Sequence, residues 1–214
     1  MTVKYWQNVD IDVQSALATA QTITAISKAN PGVVDHDGAS RSNGDYLALT
    51  VAGMRELNNR VARAASVSVS PSEFSVEGVN TTNYGTFSSG SFQAITFGAS
   101  LQTITGVTAS GGDPEFDDQT TVHDDIRVQA PTVNSPFQVS MESIWDPADA
   151  GLLELKGASD TKTTRAVRIT FADGSKIAFI AYVACTLIPT GQAPGKVTTS
   201  ITLTSLGRPD VWST

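Results

Sequence analysis

The sequence predicts an all-β protein carrying one short α-helix, and three observations predict it. Apolar and polar residues alternate in segment after segment, as expected of strands with one face buried and one hydrated. Ser and Thr supply 48 of the 214 residues, a composition that favours strands. Residues 165–183 (RAVRITF, then ADG, then SKIAFIAYV) read as two strands around a tight turn.

Taken in order, Val9, Ile11 and Val13 alternate with Asp10, Asp12 and Gln14 and predict a strand. Residues 15–20 are Ala-rich and open to helix, and alternation returns over 22–29 before Asn30-Pro31-Gly32 punctuates it. Residues 30–90 change texture. Short strands at 46–51, 60–64, 67–69 and 74–79 are separated by Asn, Gly, Pro and Ser. They predict a small inserted β module over residues 23–91, with 88–91 (SSGS) as the return linker to a main domain of residues 1–22 and 92–214.

Residues 93–97 and 101–108 then read as strands of the main domain. An acidic stretch follows at 111–127 with six carboxylates: Asp113, Glu115, Asp117, Asp118, Asp124 and Asp125. Its composition is that of a loop, with 120–128 able to extend as a hairpin arm. Phe137, Val139 and Met141 alternate into Trp145, and a helix starts after it. Asp146 suits the N-cap, Pro147 the first turn, and Asp149 the positive helix end. Ala148, Leu152 and Leu155 form the apolar stripe, and Gly157 can end the helix.

The register of the final hairpin follows from its faces. A two-residue Asp-Gly turn would mix polar and apolar residues on both sides. A three-residue loop with Gly174 left-handed pairs Phe171 with Ser175, Ile169 with Ile177 and Val167 with Phe179. That leaves Arg168, Thr170 and Lys176 on a wet side. Val197, Thr199, Ile201 and Leu203 then alternate with Thr198, Ser200, Thr202 and Thr204, giving one buried and one hydrated face.

Charge and motifs exclude several classes of function. A net charge of −7 and a pI of about 4.7 argue against a protein that grips phosphate. The single cysteine, Cys185, sits in an apolar strand and reads as a buried thiol. The longest apolar run, 177–185, falls well short of the roughly 20 residues of a membrane helix. The N-terminus lacks a signal-peptide core, so synthesis and folding in the cytoplasm are expected. His36 and His123 each lie beside carboxylates and read as solvated loop residues before metal ligands. Residues 113–124 span an EF-hand length but carry Asp118 where the turn glycine belongs and Asp124 where the bidentate Glu belongs. Zincin, nucleophile-elbow, Walker and Rossmann patterns do not occur in the sequence. No catalytic activity, cofactor or metal is expected.

The motif R-A-V-R-I-T-F-A-D-G-S at 165–175, the apolar return strand, and a Thr-rich strand closing on L-G-R-P at 206–209 resemble the C-terminal half of the major tail tube proteins of long-tailed, siphovirus-like bacteriophages. Within the insert, N-G-D-Y at 43–46, G-M-R-E-L-N-N-R at 53–60 and E-F-S-V-E-G-V-N-T-T-N-Y-G at 73–85 resemble a compact module recurrent in phage tail proteins. That module is named after the first-catalytic-cysteine half-domain of ubiquitin-activating enzymes, yet this segment contains no cysteine. The run D-x-T-T-x-x-D-D-x-R at 118–127, followed by a break at Pro131, resembles the long loop by which tube proteins reach the neighbouring ring. Here it closes on A-P-T-V-N-S-P at 130–136, where the family has Pro-Gly-Leu.

The resemblance implies a tail-tube-type β-sandwich or barrel with one flanking helix. It implies a structural subunit that forms hexameric rings stacked into a conduit for genome ejection. Partners would be further copies of the chain and the tape measure, tail-tip and tail-terminator proteins, with DNA passing through without specific binding and no membrane involved. Asp113, Glu115, Asp117, Asp118, Thr121, His123, Asp124, Asp125 and Arg127 would form the inter-ring loop. Net charge repeated around a ring would make an acidic lumen that repels DNA phosphates. The insert would project outward. Two other readings stay open: a surface-binding or adhesion module of a virion, and a secretion-system tube subunit.

Overall fold

The computed structural model describes residues 3, 5–70 and 72–213. Its first strands are β1 (Asp10–Leu17), β2 (Gln21–Ile26), β3 (Val33–His36), β4 (Tyr46–Ala52), β5 (Arg60–Val69), β6 (Ser72–Val76) and β7 (Ser89–Leu101). They are followed by β8 (Ile104–Ser110), β9 (Pro114–Asp118), β10 (Gln129–Asn134) and β11 (Gln138–Ile144). The helix α1 (Ala150–Thr161) precedes β12 (Thr164–Thr170), β13 (Lys176–Cys185), β14 (Thr198–Ser205) and β15 (Asp210–Trp212). The protein is all-β with one α-helix among the described residues.

Six strands close into a barrel. The order β2-β3-β6-β5-β4-β7 returns to β2, where Gln21, Thr22 and Ile23 pair with Phe92, Ser91 and Gly90. Closure removes free edges, and the interior is filled by Leu47, Leu49, Met54, Leu57, Phe74 and Phe92. Strand β7 belongs to two structures. Its first half pairs with β4, and from Ile95 to Leu101 it pairs with β1. From there the antiparallel sheet runs β7-β1-β12-β13-β14-β11-β8, with β15 laid along β13 beyond β14.

A second core lies under this sheet, with Val13, Val167, Phe179, Ile201 and Leu203 packed against Leu152 and Leu155 of α1. A third cluster joins barrel to sheet: Val61 and Ile95 meet Ala166, Ala178 and Trp212.

The turn register is as read from the sequence. Ile169 faces Ile177 and Val167 faces Phe179, Phe171 N donates to Ser175 O at 2.9 Å, and Gly174 has φ +85°. The face assigned to water is different. Ala166 and Ala178 on it are fully buried, and Arg168 lies 4.6 Å from the Phe97 ring centre and 5.2 Å from that of Tyr46. The barrel covers that side, a long-range contact that alternation within one hairpin does not encode.

Several local boundaries also shift. Residues 15–17 continue β1, because pairing with Thr96 and Ile95 overrides the helix preference of alanine. Residues 60–69 form one strand, with Ser66 at φ +48° marking a register shift between Ala65 and Ser68. Ser89, Gly90 and Ser91 are strand residues, paired with Ala52, Val51 and Thr50. The break in 93–108 falls at Gln102-Thr103. The N-cap of α1 is Asp149, whose carboxylate accepts from Leu152 N at 2.9 Å, while Asp146 accepts from Ala148 N one turn earlier. Ala148 is therefore exposed ahead of the helix, and the buried stripe is Gly151, Leu152, Leu155 and Ala158. The helix passes through Gly157 and ends at Lys162, itself left-handed at φ +54°. Val197 precedes β14 and is exposed, whereas Thr199, Ile201 and Leu203 point inward.

Candidate assembly surfaces

The acidic stretch forms an arm. Beyond Ser110 and Gln138 the hairpin of β8 and β11 continues as the separate two-stranded ladder of β9 and β10, with Asp118 opposite Gln129 and Phe116 opposite Pro131. At its base Gly112 N donates to Ser135 O and Ser135 N to Asp113 O at 2.9 Å. Residues 120–128, which the sequence allowed as hairpin strands, form the turn that caps the arm. Nearly every arm residue is exposed. A lone hairpin of this kind is marginal in water.

The tip is organised by its own side chains. Asp118 accepts from the amide and hydroxyl of Thr120 and pairs with Arg127 at 2.9 Å. Asp124 accepts from the amide and hydroxyl of Thr121, and the same hydroxyl accepts from His123 N. The Thr120 and Arg127 donors hold the Asp118 carboxyl below its ordinary range, and Thr121 does the same for Asp124. These acids are fixed as charges.

All nine residues anticipated for an inter-ring loop lie on this arm. Asp113 stands at the base, Glu115, Asp117 and Asp118 on β9, and Thr121, His123, Asp124, Asp125 and Arg127 in the turn. Sequence reasoning passed over the apolar half of the surface: Phe116, Val122, Ile126 and Val133 are exposed, Val122 by 97% and Ile126 by 79%. Their placement between acids was the available signal.

The EF-hand spacing does not produce a converging set of ligands, because 114–118 is extended strand. Among the described residues no three potential metal ligands gather in one place. His36 is not a solvated loop residue. It is 4% exposed inside the barrel, with its ring against Phe74 and Phe92. Cys185 is buried, and burial pushes its thiol up. No helix among the described residues is long and apolar enough to cross a membrane.

Two further surfaces belong to the sheet. Strand β8 pairs only with β11, and β7 beyond Ile95 pairs only with β1, so both outer edges of the sheet are open among the described residues. The outward face across β8, β11 and β14 aligns Ser110, Gln138 and Thr204, then Thr108, Ser140 and Thr202, then Gly106, Glu142 and Ser200. It is a hydroxyl-rich surface with a single carboxylate.

Open sheet edges and a protruding, exposed arm suit a structural protein that associates with copies of itself. A family model for phage tail tube protein, TTP, matches residues 52–214, and the chain belongs to that family. It is a structural subunit of the tail tube and a component of the virion tail, built to assemble with copies of itself. The match begins at the last residue of β4 and takes in β5, β6 and β7 of the barrel and every strand of the sheet except β1. A search of curated proteins returned no match.

Proposed function

We propose that the subunit forms hexameric rings that stack into the tube of a siphovirus-type, non-contractile tail and conduct the genome at ejection. The observation that carries this reading is the pair of open edges on one sheet. Edge-to-edge pairing between copies would satisfy both, and a contact between different edges propagates around a ring. The hydroxyl-rich face of β8, β11 and β14 would line the lumen. It presents no cation to DNA, and Glu142 repeated around each ring repels phosphate, so the strand slides without binding.

The arm would join successive rings. Residues 1–22 and 92–214 form the tube wall in this reading, and residues 23–91 supply most of an outward barrel that leaves no room for a sheath. The tape measure protein would occupy the lumen before DNA, with tail-tip and tail-terminator proteins meeting the two ends, all assembled in the host cytoplasm.

The test is negative-stain microscopy of the full chain and of a variant in which a short turn replaces residues 113–134. The full chain is expected to give sixfold rings and hollow tubes. The variant is expected to keep its circular dichroism spectrum and form no tubes. Tubes of normal length from the variant would overturn the role of the arm, and rings of another symmetry would overturn the hexamer.

A further inference from the structure

We propose that the arm tip of one copy docks onto an apolar patch at the opposite end of a second copy's sheet, formed by Trp145, Ile188 and Val197. The proposal rests on the stacking read above and names the surface that receives the arm.

Register places the two surfaces. Ser110, Gln138 and Thr204 align at one end of β8, β11 and β14, and the arm leaves from there. Ser143 aligns with Ile104 and Thr199 at the other end, and Ile144 with Thr198. Just beyond, Trp145 N donates to Val197 O at 2.9 Å and Trp145 Nε1 to Leu187 O at 2.9 Å. A contact between opposite ends of identical subunits is head-to-tail, and where its rotation does not close a ring it generates an open polymer.

The surfaces match in chemistry. Ile188 is 62% and Val197 47% exposed, and the tip offers Val122 and Ile126, more exposed still. Covering such side chains is favourable by roughly 25 cal/mol per Å² of apolar surface. Charge agrees as well. Asp124 and Asp125 stand between Val122 and Ile126, while Lys196 is the only charged residue of segment 186–197 and adjoins Val197. Asp146, next to Trp145, keeps its charge while accepting from Ala148 N, so the tip acids are expected to lie toward Lys196 and the Val197 side of the patch.

The patch is also preformed. Thr190 and Thr198 exchange backbone hydrogen bonds of 2.8 and 2.7 Å, and the Trp145 indole pins Leu187. Docking therefore orders little new chain.

A photo-crosslinking residue placed at 122, and separately at 126, in assembled tubes of mixed light and heavy isotope tests this. Adducts joining two different copies within residues 144–145 or 187–197 are expected. Adducts to another part of a second copy would overturn this receiving surface and leave stacking through the arm intact. Adducts confined to one chain, or none from either position, would overturn both. Independently, Ile188→Asp is expected to fold normally and to need about ten times more subunit to form tubes. Val69→Asp, on an equally exposed barrel residue, should assemble as wild type. Unchanged assembly of Ile188→Asp would overturn the proposal.

Discussion

His36 shows what a single residue contributes here. It ends a four-residue strand whose burial alternates, so Val34 and His36 point into the barrel and Asp35 does not. The flanking Asp35 and Asp37 made the segment look like a solvated loop, and only closure of the barrel reveals the inward face. Among the described residues neither ring nitrogen has a well-formed hydrogen bond. Burial lowers the imidazole below its ordinary 6.5 and Arg41 adds to this, while the Asp37 backbone and the charges of Asp37 and Asp35 pull the other way.

A base with a depressed folded pKa binds fewer protons folded than unfolded as pH falls through 6.5. Its contribution is therefore fully present above that value and is lost as pH drops toward the folded pKa. Urea unfolding at pH 7.5 and 5.0 should show a midpoint that falls on acidification in the wild type and falls less in His36→Leu. Equal losses in the two proteins would show that another group sets the acid sensitivity.

At the scale of elements, α1 was legible in its existence and order and not in its start. Two aspartates three residues apart, Asp146 and Asp149, both suit an N-cap, and tertiary contacts choose between them. The carboxylate of Asp149 caps Leu152 N and also accepts from Gln102 N at 3.2 Å and Thr103 Oγ1 at 3.3 Å, tying the helix to the corner between β7 and β8. Strands were legible wherever alternation outlasted local composition. The β9–β10 arm was not, because none of its faces is buried and periodicity has nothing to report. Asp149→Ala removes the cap and orphans Gln102 N, so it should cost about 2 kcal/mol in urea unfolding. Asp146→Ala should cost only about 0.5 kcal/mol. The reverse ranking would return the cap to Asp146.

The whole molecule is held by a seam that local pattern does not report. Arg60 of β5 pairs with Asp210 of β15, and both are buried. Arg60 also reaches the Tyr84 hydroxyl. Burial raises the Asp210 carboxyl against the pull of Arg60. Beside it Trp212 packs edge-on against Tyr46, and the Arg63 guanidinium lies 5.7 Å from the Trp212 ring centre. Gly207 admits the chain here, since a Cβ would stand 2.2 Å from the Asn59 carbonyl oxygen. With β7 common to barrel and sheet, this seam joins in space what the sequence reads as two textures.

Arg60→Ala leaves a buried carboxylate unpaired and should cost about 3–5 kcal/mol. Because the seam is shared, hydrogen exchange should quicken in β13 and β14 as well as in the barrel. Replacing the pair together, Arg60→Met with Asp210→Leu, should recover most of the loss, since an apolar pair of similar volume carries no desolvated charge. Faster exchange confined to the barrel strands in Arg60→Ala would mean that barrel and sheet fold independently, and that the barrel could be removed without unfolding the tube wall.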